Sequence, residues 1–178
     1  MTTARGVRTA HTCELAPLEL AAVRSLLFES FDGDFGREDW DHTLGGVHAL
    51  VHDARGLAAH GAVVMRRVRY GGRWLRTGYV EGVAVRHDVR RQGLGGEVMA
   101  ALEGVITRAY DLGALSASDE GAALYASRGW RAWEGRIHAL GPDGVVRLPE
   151  EEGSTYVWPV PADLAGELVF DWRDGDVL

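Results

Sequence analysis

Between Val80 and Met99 the chain places a strand-like run, Glu81-Gly82-Val83-Ala84-Val85, ahead of Arg86-His87-Asp88-Val89 and then Arg90-Arg91-Gln92-Gly93-Leu94-Gly95-Gly96. A glycine-rich turn that opens a helix gathers backbone N–H groups and the positive helix end around one point, an arrangement that suits a pyrophosphate. Arg90 to Gly95 is therefore a candidate phosphate cradle, with a strand before it, basic residues beside it and a helix-compatible segment from Glu97 to Tyr110 after it. A P-loop would need a Lys-Ser/Thr pair after its last glycine, and the dinucleotide fingerprint spaces its glycines differently. Neither fits.

Upstream of the cradle, Glu81 interrupts an apolar strand, and alternation sends it to the face opposite Val80. A carboxylate is costly to bury alone, so Glu81 is expected to face a wet cleft, where it can take a proton from an amine. The alternative is a structural salt bridge with Arg86 or Arg76. Gly82 in mid-strand marks a bulge or a close backbone approach. Seven histidines invite a metal reading, but His48 and His52 fall in a predicted strand, without the closeness that a helical i, i+4 pair provides. No metal site is expected. The lone Cys13 reads as a small buried hydrophobe, far in sequence from a nucleophilic framework.

The run VEGVAV followed by RRQGLG resembles the acetyl-CoA signature of the GNAT superfamily of N-acetyltransferases. A second stretch, Ala123-Leu124-Tyr125-Ala126-Ser127-Arg128-Gly129-Trp130, resembles that superfamily's Leu-Tyr-x-x-x-Gly-Phe pattern, with Trp130 in the aromatic place. The resemblance implies that Val83, Ala84, Val85 and Arg90, Arg91, Gln92, Gly93, Leu94 and Gly95 contact acetyl-CoA. It also implies that an N–H near Val83 polarises the thioester carbonyl, that Glu81 is the general base, and that the Tyr125 hydroxyl protonates the departing thiolate. For Tyr125 the alternative is a core tyrosine packed on the sheet.

At closer range GDF at 33–35, DWDHTLGGVHAL at 39–50, GYVEGVAVR at 78–86, LGALSAS at 112–118, LYASRGW at 124–130 and DWRDGDV at 171–177 resemble the aminoglycoside 2'-N-acetyltransferases. This likeness implies aminoglycoside contacts by Asp34, Glu81, Gly82, Ser116, Glu151, Gly175 and Asp176. The chain departs from that pattern in ending in Leu178 rather than Trp, in carrying Glu151 for Asp, and in having Gly95 as a second loop glycine. The implied reaction is direct transfer of acetyl to the 2'-amine in a ternary complex. The alternatives are a GNAT enzyme for another small polyamine or aminosugar, and a non-catalytic aminoglycoside- or acyl-CoA-binding protein.

Several elements must position these groups. Pro17 opens an amphipathic helix with Leu20, Val23, Leu27 and Phe31 on one face, and a short helix is predicted from Glu38 to Leu44. Strands over 47–53, 57–70 and 73–86 form an antiparallel meander with turns at Asp53-Ala54-Arg55-Gly56 and Gly71-Gly72. A strand at 112–117 precedes a helix capped by Ser118 and ended by Gly129, and strand character resumes over Trp130–Leu140. Gly141-Pro142-Asp143-Gly144 turns the chain, and 155–160 and 168–172 either add strands or lie across the site. The expectation is one α/β (α+β) domain over residues 1–178, a mixed, mostly antiparallel sheet flanked by helices, which is the GNAT fold the resemblance implies.

Composition sets the remaining bounds. The formal net charge of −7 argues against nucleic acid and favours a polycation. Acidic residues crowd at Asp32 to Asp41, at Glu150 to Glu152 and at Asp171 to Asp176, where a solvated surface is the plain alternative. One cysteine allows no intramolecular disulfide, and with neither an apolar leader nor a long apolar run the expectation is a cytoplasmic protein without a membrane partner. The assembly state is left open, a homodimer included.

Overall fold

A computed structural model describes residues 6–161 and 163–178. The described residues sort into two compact units, one formed by the chain up to Val64 with Val80–Val105, the other by Met65–Tyr79 with Ile106–Leu178.

In the first unit, β1 (Val7–His11) pairs antiparallel with β2 (Val47–Asp53), which pairs antiparallel with the start of β3 (Gly56–Tyr70). Helix α1 (Pro17–Ser30) begins with proline at its first position, and the Ala16 N–H donates to the Glu19 carboxylate at 3.0 Å. It buries Val23, Leu26 and Leu27 in a cluster with Ala10, Leu15, Leu50 and Ala84, and half-buried Trp40 from α2 (Arg37–Thr43) packs against that cluster. Phe31, expected on the buried face, instead follows the last helical residue, is 39% exposed and stacks on Phe35.

Helix α3 (Leu94–Ala109) lays Leu94, Val98, Met99 and Leu102 inward. It can lie close to β3 because residue 61 has no side chain: a Cβ on Gly61 would meet Val98 Cγ1 at 2.7 Å and Leu102 Cδ1 at 3.0 Å. Residues Ala58 to Val64 of β3 are buried without interruption, whereas Met65 to Val68 alternate exposed and buried as a one-sided strand does.

In the second unit the strands run β6-β9-β5-β4-β3-β10-β7-β8 across a mixed sheet. Its members are β3 from Met65 onward, the Arg73–Tyr79 part of β4 (Arg73–Val85), β5 (Leu112–Ser116), β6 (Arg131–Ala132), β7 (Ile137–Gly141), β8 (Gly144–Arg147), β9 (Thr155–Trp158) and β10 (Leu168–Asp171). The β4–β5 pairing is parallel over Thr77 to Tyr79, and β10–β7 is also parallel. Helix α4 (Asp119–Ser127) is capped by Ser118, whose hydroxyl accepts from the Gly121 N–H at 3.2 Å, and Gly129 follows it at φ 85. The elements match the α+β expectation.

Three local expectations need correction. The strand predicted over Trp130–Leu140 is two pieces, β6 and β7. Between them Trp133 donates from Nε1 to the Gly166 carbonyl at 2.8 Å, and Gly135 approaches so closely that a Cβ would lie 1.9 Å from that same oxygen. Cys13 is exposed, because it lies in a short 3-10 turn after β1 that buries no side chain. His48 is buried and His52 exposed despite their even spacing, His52 lying at the end of β2 beside the turn to β3. Among the described residues no helix is long and apolar enough to cross a membrane.

Placing a methyl group at Gly61 tests the α3–β3 contact. Gly61→Ala should lower stability by about 1–3 kcal/mol through overpacking. A lowered urea midpoint at unchanged m-value reports it; a wild-type midpoint would mean that α3 yields freely.

Candidate active site

The cradle is built by left-handed backbone at the entrance to α3. Arg91 (φ 60) and Gly93 (φ 86) both adopt a conformation that favours glycine, and the Glu97 N–H closes the first turn on the Gly93 carbonyl at 3.1 Å. A Cβ on Gly93 would meet nothing within 4 Å, so its surroundings are open and the backbone conformation is what calls for glycine there. Leu94 is 2% exposed and anchors the turn from beneath, while Arg90, Arg91 and Gln92 are exposed and Gly95 is half-buried. The first N–H groups of a helix have no intrahelical acceptor, and with two exposed arginines beside them the residues fit a phosphate-bearing group.

Arg86 is held elsewhere: its guanidinium donates to Asp53 Oδ2 at 2.5 Å, to Asp88 Oδ1 at 2.6 Å and to the Leu57 carbonyl at 2.9 Å. Those carboxylates, Asp88 first, raise the Arg86 pKa above its ordinary value. Arg55 adds a second contact to Asp88, so the turn before the cradle is stapled to the β2–β3 hairpin. Arg76 pairs with Asp111 at 3.4 Å. The two arginines named as alternative partners of Glu81 thus have carboxylates of their own.

Glu81 and Val83 are half-buried in β4, Val85 is half-buried beyond them, and Ala84 is 5% exposed, part of the α1 core. Gly82 between Glu81 and Val83 is left-handed at φ 55, which interrupts β4 as the sequence suggested. A Cβ there would lie 3.1 Å from Leu27 Cδ1, a tight approach, and in ordinary contact with Thr43 Cγ2 at 3.5 Å. Its carbonyl accepts from His60 Nδ1 at 2.8 Å. Also in the first unit, Asp34 is exposed in the turn after α1, its N–H bonded to the Phe31 carbonyl at 2.9 Å.

The second unit brings Ser116 and Glu151 together. Ser116 Oγ, at the end of β5, donates to Glu151 Oε2 at 2.8 Å, and Ser154 Oγ reaches the same oxygen at 3.1 Å. Hydroxyls orient this carboxylate without cancelling its charge.

Tyr125, in α4, is 7% exposed among Trp130 and Tyr156, with ring centroids at 6.4 and 6.3 Å. Burial pushes its pKa up to about 12. The phenol is protonated at neutral pH.

Gly175 (φ 78) and exposed Asp176 sit on a C-terminal turn held by Arg66, which sequence reasoning missed. Arg66 donates to Asp171 Oδ1 at 2.7 Å and to the carbonyls of Asp171 and Val177, each at 2.5 Å, while its guanidinium lies 5.0 Å from the Tyr79 ring centroid. Burial, with Arg173 next, pulls its pKa below the ordinary value against the pull of Asp171. The signal was an arginine at an inward position of an alternating strand. Among the described residues no group of three or more His, Cys, Asp or Glu side chains could hold a metal.

Arg66→Met keeps the volume and removes every donor. It should cost about 2–3 kcal/mol, below the figure for a fully buried pair because Asp171 is partly solvated. Faster proteolysis at residues 172–177 should accompany a lower urea midpoint; wild-type behaviour in both would remove Arg66 as the anchor of that turn.

Comparison with known proteins agrees with this geometry. The profile of the acetyltransferase (GNAT) family matches residues 20–130. The aminoglycoside 2'-N-acetyltransferase of Mycolicibacterium fortuitum is 48% identical over 176 residues, covering 96% of this chain and 90% of that protein. Among solved structures, the Escherichia coli GNAT family N-acetyltransferase YhbS in complex with CoA gives a TM-score of 0.64 at 17% identity, covering 96% of this chain and 92% of that one. Escherichia coli ElaA gives 0.59 at 19% identity, covering 86% and 98%. These two likenesses are of fold alone. With the family profile spanning β2 to β5, the cradle and the Tyr125 helix, the chain belongs to the acetyltransferase (GNAT) family.

Proposed function

We propose that residues 1–178 act as one cytoplasmic enzyme domain that acetylates the 2'-amine of aminoglycosides from acetyl-CoA. The observation that carries this reading is the 48% identity to an aminoglycoside 2'-N-acetyltransferase across 96% of the chain. Charge supports it: the formal net charge is −7, and Asp34 and Asp176 are exposed carboxylates suited to a ligand bearing several ammonium groups.

Bound acetyl-CoA supplies the acetyl group as a thioester. On this reading, Arg90, Arg91, Gln92, Gly93, Leu94 and Gly95 hold its phosphates through N–H groups and charge, while the backbone of Val83, Ala84 and Val85 orients its reactive arm. Asp34, Gly82, Ser116, Glu151, Gly175 and Asp176 orient the polycation. Glu81 takes a proton from the substrate ammonium, the free amine then forms the C–N bond, and Tyr125 gives its phenolic proton to sulfur as the C–S bond breaks, the proton that the nitrogen sheds on becoming an amide restoring the phenol. The Val83 N–H faces the carbonyl oxygen on which charge develops.

Regiochemistry tests the substrate. Gentamicin and tobramycin, which carry a 2'-amine, should each gain one acetyl group by mass spectrometry, while kanamycin A and amikacin, which lack it, stay unmodified. Acetylation of amikacin at a comparable rate would overturn the site of transfer. No turnover of any of the four would favour a binding protein.

Tyr125→Phe tests the acid. Turnover should fall by about 10² with the acetyl-CoA KM little changed. Because burial raises the Tyr125 pKa, its proton stays in place as pH rises, so wild-type kcat should show no Tyr125 basic limb below about pH 10. Wild-type turnover by folded Tyr125→Phe would return the residue to a packing role.

A further inference from the structure

Two buried histidines have no part in this mechanism. His48 on β2 and His60 on β3 are both 0% exposed, with His48 Nδ1 2.9 Å from His60 Nε2. His60 Nδ1 lies 2.8 Å from the Gly82 carbonyl, and Thr12 Oγ1 lies 2.8 Å from His48 Nε2. Burial lowers the pKa of His48 to about 4 and of His60 to about 3, so both rings are neutral at physiological pH.

The polarity of the chain follows from one end. A carbonyl only accepts, so His60 must carry its proton on Nδ1 and leave Nε2 as an acceptor. His48 must then donate from Nδ1, and its Nε2 must accept from the Thr12 hydroxyl. The Gly45 N–H donates to that same hydroxyl oxygen at 2.9 Å, and of the two acceptors in reach of the Thr12 proton, the Gly46 carbonyl at 3.3 Å and His48 Nε2 at 2.8 Å, only His48 would otherwise be left without a donor. Every group is satisfied in one arrangement only.

The Gly82 carbonyl and the Val83 N–H belong to one planar peptide group and point in opposite directions, so holding the first aims the second. That plane follows a left-handed glycine, where no side chain of residue 82 resists its rotation. We propose that His60 is a positioning residue for acetyl transfer: its hydrogen bond to the Gly82 carbonyl fixes the direction of the Val83 N–H, and His48 and Thr12 hold His60 in the tautomer that makes the bond. The inference rests on the reading of Val83 as the N–H that polarises the thioester.

The test combines nitrogen NMR with kinetics. In the free wild-type protein at neutral pH, long-range nitrogen–proton spectra should show both histidines as Nδ1–H tautomers. Titration with S-acetonyl-CoA, a ketone analogue of the thioester, should shift the Val83 amide. His60→Leu should abolish that shift and lower kcat about tenfold to a hundredfold, with the KM of both substrates within twofold. His60→Asn places an amide N–H near the position of ring Nδ1 and should recover most of kcat and of the Val83 response.

If His60→Leu keeps wild-type kcat and the full Val83 response, the positioning role is overturned while the Val83 reading stands. If the wild-type Val83 amide ignores the analogue, that reading itself fails and takes the proposal with it. Should His60→Leu not fold, the wild-type spectrum and His60→Asn decide: an Nε2–H tautomer at His60, or His60→Asn lacking the Val83 response, overturns the proposal, and the expected tautomers with a retained response support it.

Discussion

The left-handed backbone of Gly82 is the constraint on which the first unit turns. A residue at φ 55 cannot continue a regular strand, so β4 stops alternating where it carries Glu81 on one side and Val83 on the other. Leu27 crowds the site a side chain would occupy, Thr43 lies in contact with it, and His60 ties the carbonyl. Any residue but glycine would have to overcome backbone strain and a close contact together. The glycine is therefore both permitted and enforced, the first by its lack of Cβ and the second by the packing of α1 and α2.

A second theme is the division of labour among charges. Arginines close to the structural frame are matched to carboxylates: Arg86 to Asp53 and Asp88, Arg66 to Asp171, and Arg147 to Glu152 at 2.9 Å. Each such pair holds a turn and offers little net charge to a ligand. Glu151 differs from its neighbour Glu152 because its carboxylate accepts from Ser116 and Ser154 hydroxyls, which orient it and leave its negative charge in place. An acidic run in sequence thus separates into a structural member and a ligand-facing candidate according to which donors the fold supplies. Tyr125 follows similar logic: its aromatic surroundings keep the phenol protonated, the state a proton donor needs.

What the sequence by itself determined was the local grammar. Proline at the start of α1, serine before α4, glycine after it, the Gly71-Gly72 turn and the helix-compatible run after the cradle are short-range signals, and the elements formed where those signals stood. Arg90 to Gly95 was legible for the same reason, since a phosphate cradle is made of consecutive residues. Only the tertiary structure decided which distant residues meet. Glu151 is joined to Ser116 through the β5–β9 pairing, Arg66 reaches a turn more than a hundred residues later, and His48 is buried where His52, on the same strand, is exposed. The His48–His60 chain was invisible for that reason: its two rings are twelve residues apart on different strands, and burial, which no spacing encodes, is what keeps them neutral and gives their hydrogen bonds a single direction.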